Sequence, residues 1–247
     1  MSKLHRRILV TTLVVSVLVR VIAAIYLGNT VEVLPGTFDQ VSYHNLAMRV
    51  LAGNGFTFGE QWWPATPADA PTAHWSYLYT GYLILIYKVF GINPLVARVI
   101  QAVAVGLLQP YLAYRIARYL FNPVIGLAAA ILTAIYAYFI YYAATLMTEP
   151  FYIVAILASL LISLRMVRKE PEDDQSPALI TTRENLWKGV WLGLTLGIAV
   201  LMRQLFLLVI PFILFWIWWA SGKRIWRSLL ISILMIVILV IPFTIYN

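Results

Sequence analysis

Residues Ser76–Phe90 read SYLYTGYLILIYKVF, and whether this stretch crosses a bilayer decides the orientation of everything after it. It is apolar but short. A helix needs about 20 apolar residues to cross a hydrocarbon core of roughly 30 Å, and shorter stretches more often dip into the membrane or lie at its surface. The flanking runs are longer: about 8–27 before it, and about 94–118, 124–145, 150–167, 187–203, 204–220 and 225–245 after it. Lipid offers no partner to an unpaired backbone N–H or C=O, so each run is predicted to be a helix.

Basic residues decide the parity. Of the 18 Lys and Arg, 13 fall in four clusters: Lys3/Arg6/Arg7, Arg115/Arg118, Arg165/Arg168/Lys169 with Arg183/Lys188, and Lys223/Arg224/Arg227. If 76–90 does not cross, all four share the side of the N-terminus; if it does, ten of the 13 move to the other side. Positive charge collects on the cytoplasmic side. The predicted fold is therefore all-α: a polytopic transmembrane helical bundle of about seven spans with a cytoplasmic N-terminus. A long first external loop, about 28–93, carries amphipathic juxtamembrane helices, and a cytoplasmic loop covers about 168–186. The whole of 1–247 reads as a single transmembrane module, either an N-terminal fragment of a longer enzyme or a minimal unit that needs a partner subunit.

Composition excludes a soluble class. The chain is 62% hydrophobic and 11% charged, with a mean hydropathy of +0.84, whereas soluble domains carry about 25% charged residues. The formal charge of +8 sits between the apolar runs, which marks topogenic loops rather than a nucleic-acid surface. With no cysteine, disulfides and Cys-based metal sites are excluded. The start, Met1 to Arg7, resembles a signal peptide, but the run after it is too long and no small-residue cleavage site follows, so it is predicted to be retained as the first span. The stretch Glu170–Pro177 reads as a solvated linker.

Few ionisable groups remain for chemistry on the external side. Asp39 opens a helical pattern in which Val41, Tyr43, Leu46, Ala47, Val50 and Leu51 form an apolar face, ending at Gly53-Asn54-Gly55. Such a helix is expected to lie on the outer surface, with Asp39 either capping it or facing a substrate. Glu149 stands directly before Pro150 between two apolar runs, so it stays near the membrane plane; its plain role is a first-turn acid favoured by the helix dipole. Arg203 interrupts an apolar stretch, so either a tight outer turn falls here or the side chain is buried, and a charge at membrane depth has to be paired, with Glu149 or Asp39 for instance, or hold an anion. Its planar fork suits a phosphate. Arg20, near the outer end of the first span, reads the same way. His44 and His74 have no metal-binding spacing, and no phosphate loop or nucleophile motif is present. Carboxylates can serve as general bases, so one or two of them beside several cations at the membrane surface suit group transfer from a lipid phosphate.

The run Phe38-Asp39-Gln40-Val41-Ser42-Tyr43-His44, closing at Gly53-Asn54-Gly55-Phe56, resembles the first external loop of GT-C glycosyltransferases, in the branch of dolichyl-phosphate-mannose-protein mannosyltransferases and aminoarabinose transferases. Pro71-Thr72-Ala73-His74, Leu146-Met147-Thr148-Glu149, Leu201-Met202-Arg203 and Ile241-Pro242-Phe243 follow in the order of that family. The resemblance implies a membrane glycosyltransferase that moves a sugar from a polyprenyl-phosphate-linked donor to a hydroxyl of a protein or glycolipid acceptor, with inversion, at the external face of the plasma or inner membrane. By the same resemblance Asp39 is the general base and Glu149 a second acid in the site. Arg203 and His74 are candidates for the phosphate, and Tyr43, His44, Arg20 and Lys88 complete the substrate-binding candidates. Gln40 stands where many relatives have a second acid, so neither a metal nor another cofactor is expected. Two other readings stay open: a transporter or flippase of lipid-linked sugar, and a non-catalytic truncated or assembly module.

Overall fold

The first apolar run folds as one helix, α1 (Lys3–Leu27), started by the Ser2 hydroxyl, which accepts from the His5 N–H. After it come α2 (Asp39–Leu51), α3 (Tyr77–Phe90), α4 (Pro94–Leu120), α5 (Pro123–Ile135), α6 (Ala137–Ala144), α7 (Glu149–Val167), α8 (Ala178–Met202), a 3-10 turn (Gln204–Leu208), α9 (Ile210–Ala220) and α10 (Trp226–Ile245). The computed structural model describes residues 2–62, 66–72, 74–167, 178–221 and 225–245. The expected loop at 168–177, the basic turn at 222–224 and the final Tyr246-Asn247 lie outside them.

Among the described residues β structure is confined to isolated bridges in the loops, so the fold is all-helical. Helices α1, α4, α7 and α10 are long and apolar enough to cross a membrane, and α5 with α6, bent by 52° at their break, makes a fifth candidate span. The stretches Leu186–Met202 and Gln204–Ala220 are apolar but shorter. At 14 residues α3 is about 21 Å long, less than a hydrocarbon core. Apolar side chains face outward along the long helices, as Ile22 (64% exposed) and Leu234 (55%) show. This is an integral membrane protein.

The chain divides into two compact units, Met1–Val154 and Ala155–Tyr246. In the first, α1 packs on α4, α5 and α6, α4 pairs with α5, and α3 sits between α2 and α4. The α4–α5 corner is set by Asn122, whose side chain accepts from Val124 N and Ile125 N at 3.0 Å, with Pro123 in the first turn. Close approach needs glycine there: a Cβ on Gly106 would lie 3.0 Å from the Val17 backbone, and one on Gly126 3.0 Å from Tyr114.

Two buried arginines close helix ends within this unit. The α5/α6 break at Tyr136 leaves carbonyls at the end of α5 without helical partners, and in apolar surroundings such groups have to be satisfied. Arg20 donates to Thr133 O and Ala134 O, each at 3.0 Å, and to Ser16. Arg98 does the same for α1, donating to Leu27 O at 3.2 Å, Thr30 O at 2.8 Å and Gly28 O.

In the second unit α8 and α10 pack along a line of glycines. A Cβ on Gly189 would lie 2.4 Å from Ser228 O, one on Gly193 2.6 Å from Ser232 O, and one on Gly197 2.7 Å from Leu239. Small residues every four positions let two helices touch backbone to backbone in lipid, and the Ser232 hydroxyl donates across to Gly189 O at 2.8 Å.

Candidate functional site

Helix α2 begins with a turn that leaves its acid uncommitted. Phe38 occupies the capping position without a side-chain bond, and the Thr37 hydroxyl accepts from Asp39 N at 3.1 Å. Asp39 is therefore the first helical residue rather than the cap. Its carboxylate is half-buried, and among the described residues it has neither a hydrogen-bond donor nor an ion-pair partner. An acid in the first turn is favoured by the helix dipole, so Asp39 is placed at little cost with its lone pairs available.

One turn along, Tyr43 is buried at 5% exposure. Its phenol meets the Ser76 backbone and the Thr148 side chain, with both Asp39 and Glu149 in its electrostatic surroundings. Burial first, and the Asp39 charge second, push it well above the usual phenol range, with Glu149 adding in the same direction. The ring is held edge-on by Trp75 at 5.5 Å and by Tyr79 at 5.0 Å. Tyr43 thus lies within electrostatic range of two carboxylates that are far apart in the chain.

Glutamines hold this arrangement. Gln40 donates to Glu32 O and accepts from Arg98 at 3.3 Å and from Leu146 N at 3.4 Å. It thereby ties the residue after Asp39 to the segment leading to Glu149. Gln101 accepts from the Tyr79 hydroxyl at 2.8 Å and donates to Ala143 O at 3.0 Å and Thr145 O at 2.7 Å. Gln109 donates to Pro150 O at 3.1 Å. Thr145, Leu146, Met147 and Thr148 are buried, and half-buried Glu149 opens α7 with the Thr148 hydroxyl 3.4 Å from its Oε2. None of these glutamines was expected at the site. The signal was present: Arg98, Gln101 and Gln109 recur on one stripe of an otherwise apolar span, where a polar residue needs a partner.

The remaining candidates distribute as follows. His44 pairs through Nδ1 with the Tyr87 hydroxyl at 2.8 Å, and burial, with Arg98 nearby, lowers its pKa below the usual 6.5. His74 is exposed, its ring edge-on to Trp75 at 5.0 Å. Lys88 is exposed in the last turn of α3, where a cation complements the helix dipole. Arg20 is fully buried under the α5 carbonyls. Arg203 belongs to the second unit, where it ends α8 in extended conformation (φ −144°) with an exposed side chain. Among the described residues no group of three His, Cys, Asp or Glu could hold a metal ion.

A profile of the dolichyl-phosphate-mannose-protein mannosyltransferase family matches residues 78–246, more than half of the chain. Glu149 and Arg203 lie inside the matched stretch and Asp39 lies before it. No curated protein and no solved structure matches.

Proposed function

The chain belongs to the dolichyl-phosphate-mannose-protein mannosyltransferase family, membrane glycosyltransferases of the GT-C type, and from that premise we propose that Asp39 is the general base of sugar transfer from a polyprenyl-phosphate donor. The observation that carries this reading is the half-buried Asp39 carboxylate, unpartnered among the described residues, one turn from a buried tyrosine that also feels Glu149.

The chemistry balances without further reagents. An acceptor hydroxyl gives its proton to the Asp39 carboxylate while its oxygen attacks the anomeric carbon from the face opposite the lipid phosphate. The anomeric C–O bond breaks, its electron pair stays on the phosphate oxygen, and polyprenyl phosphate leaves with inversion at the sugar. Glu149 lines the same space, where it orients sugar hydroxyls, and Tyr43 is the wall that both acids share. His74 and Lys88, in the same unit as Asp39, are the cations we assign to the phosphate. Arg20 and His44 already bond protein groups, and we assign them to the scaffold. The site faces the external side in a bundle of seven crossings, in which Leu186–Met202 and Gln204–Ala220 also span, α2 lies along the surface and α3 dips without crossing.

Replacing Asp39 with Asn tests the role. A general base contributes about 10² to 10⁴ in rate, so D39N is expected to lose that factor in kcat with donor affinity kept. Transfer by D39N at the wild-type rate removes the mechanism.

A further inference from the structure

Residues 58–62, after α2, lie against that helix and leave an open groove of about 410 Å³ lined by Asn45, Met48, Arg49, Phe58, Glu60 and Trp62. That size falls within the range of small-molecule sites, roughly 300 to 1,000 Å³. Asn45, Met48 and Arg49 recur at helical spacing on α2, on nearly the opposite side from Asp39 and Tyr43. The cavity is therefore separate from the proposed reaction centre.

Its chemistry is uneven in an informative way. One wall is flat and apolar: Phe58 and Trp62 stack at 5.1 Å with 14° between their rings. Trp62 is fixed in place, its Nε1 donating to the Ser42 hydroxyl at 2.8 Å. The rim is polar and open to a ligand. Among the described residues the Asn45 amide and the Glu60 carboxylate have no hydrogen-bond or ion-pair partner, and the buried Arg49 Nε has none either. Glycine keeps the cavity open, since a Cβ on Gly59 would lie 3.0 Å from Arg49 Nη1.

Charge narrows the ligand. Arg49 is already paired with Asp69, and Glu60 adds a further carboxylate at the rim. A phosphate or an acidic ligand would meet net negative charge here. A flat apolar wall edged by an amide, a carboxylate and a guanidinium N–H instead complements a pyranose, which presents C–H groups on one face and hydroxyls around its rim.

We propose that this cavity is a saccharide subsite that takes a neutral pyranose of the acceptor, stacked on Trp62 and hydrogen-bonded by Asn45, Glu60 and Arg49. The inference rests on the transferase reading and deepens it, because it makes the acceptor a glycan rather than a bare hydroxyl. Asn45 lies six residues from Asp39, about 9 Å along the helix, and on the other side of it. The bound ring is thus not the ring that reacts.

Binding can be measured apart from transfer, by saturation-transfer NMR on the full chain in nanodiscs with methyl glycosides of mannose, glucose, galactose and N-acetylglucosamine. At least one glycoside is expected to receive saturation, mainly on one ring face. Loss of one hydrogen bond weakens binding roughly 3- to 10-fold, which is expected for Asn45→Ala and for Glu60→Ala; both touch only the rim and leave the fold intact. Trp62→Ala abolishes the signal, and Asp39→Asn retains it. Silence from every glycoside, binding that survives both rim variants, or displacement by inorganic phosphate overturns the subsite. Glycoside binding by a chain that transfers no sugar supports the subsite and removes the enzymatic reading. Sugar transfer by a chain that binds no glycoside removes the subsite alone.

Discussion

At the scale of single residues, the contrast between Asp39 and its neighbours shows how a fold reserves a group for chemistry. The terminal Nη groups of Arg98 and Arg20 donate to carbonyls, and Gln40 bonds three separate segments, while the acid next to it is left open. His44 gives this framework a pH dependence. Its folded pKa is lowered, so the folded state prefers the neutral ring and the unfolded state binds the proton first. The sign follows from linkage: its contribution is present above the ordinary histidine range and lost as pH falls through the folded pKa. The thermal midpoint in detergent is expected to drop between pH 7.5 and 5, and to drop less in His44→Gln, which can still reach Tyr87. Equal drops in both proteins contradict this account of His44.

At the scale of elements, the α8–α10 pair is the clearest place to test packing. A Cβ on Gly193 meets Ser232 O at 2.6 Å and Met235 Cβ at 2.6 Å, neither of which can swing aside. Overpacking of this kind costs about 1–3 kcal/mol, so Gly193→Ala is expected to lower the unfolding midpoint. Gly81 in α3 has nothing within 4 Å of its would-be Cβ, and alanine there is expected to be neutral or to stabilise by up to about 1 kcal/mol. A harmless Gly193→Ala contradicts the close packing. Elements were the most legible part of the sequence, because apolar runs in lipid have only one way to satisfy their backbone. The span of α2 was readable from the spacing of Val41, Leu46 and Val50 and from Gly53. The break at Tyr136 was not, since neither proline nor glycine marks it and what stabilises it is Arg20, more than a hundred residues away.

At the scale of the whole molecule, the account depends on which groups share a side of the membrane. Periodicity reports which face of a helix is buried but not what it is buried against. Asp39 and Glu149 could therefore be named as candidates, while the link between them through Tyr43, Gln40 and Leu146 could not. Topology is open to direct test because the chain has no cysteine. In sealed right-side-out vesicles an impermeant maleimide is expected to label Glu60→Cys and Ile92→Cys but not Phe121→Cys. The first two share a side only if α3 does not cross, and the third lies beyond α4. Labelling of Glu60→Cys and Ile92→Cys from opposite sides would invert every later element and separate Asp39 from Glu149.

The most direct test of the central claim is the distance between the Asp39 carboxylate and the anomeric carbon in a donor-bound structure of the full chain. Direct base catalysis needs one hydrogen bond plus one attack distance between them, within about 6 Å. A donor bound with its anomeric carbon that close to Asp39, and with Glu149 lining the same space, is the predicted result. An anomeric carbon beyond about 10 Å, or on the far side of α2, contradicts it.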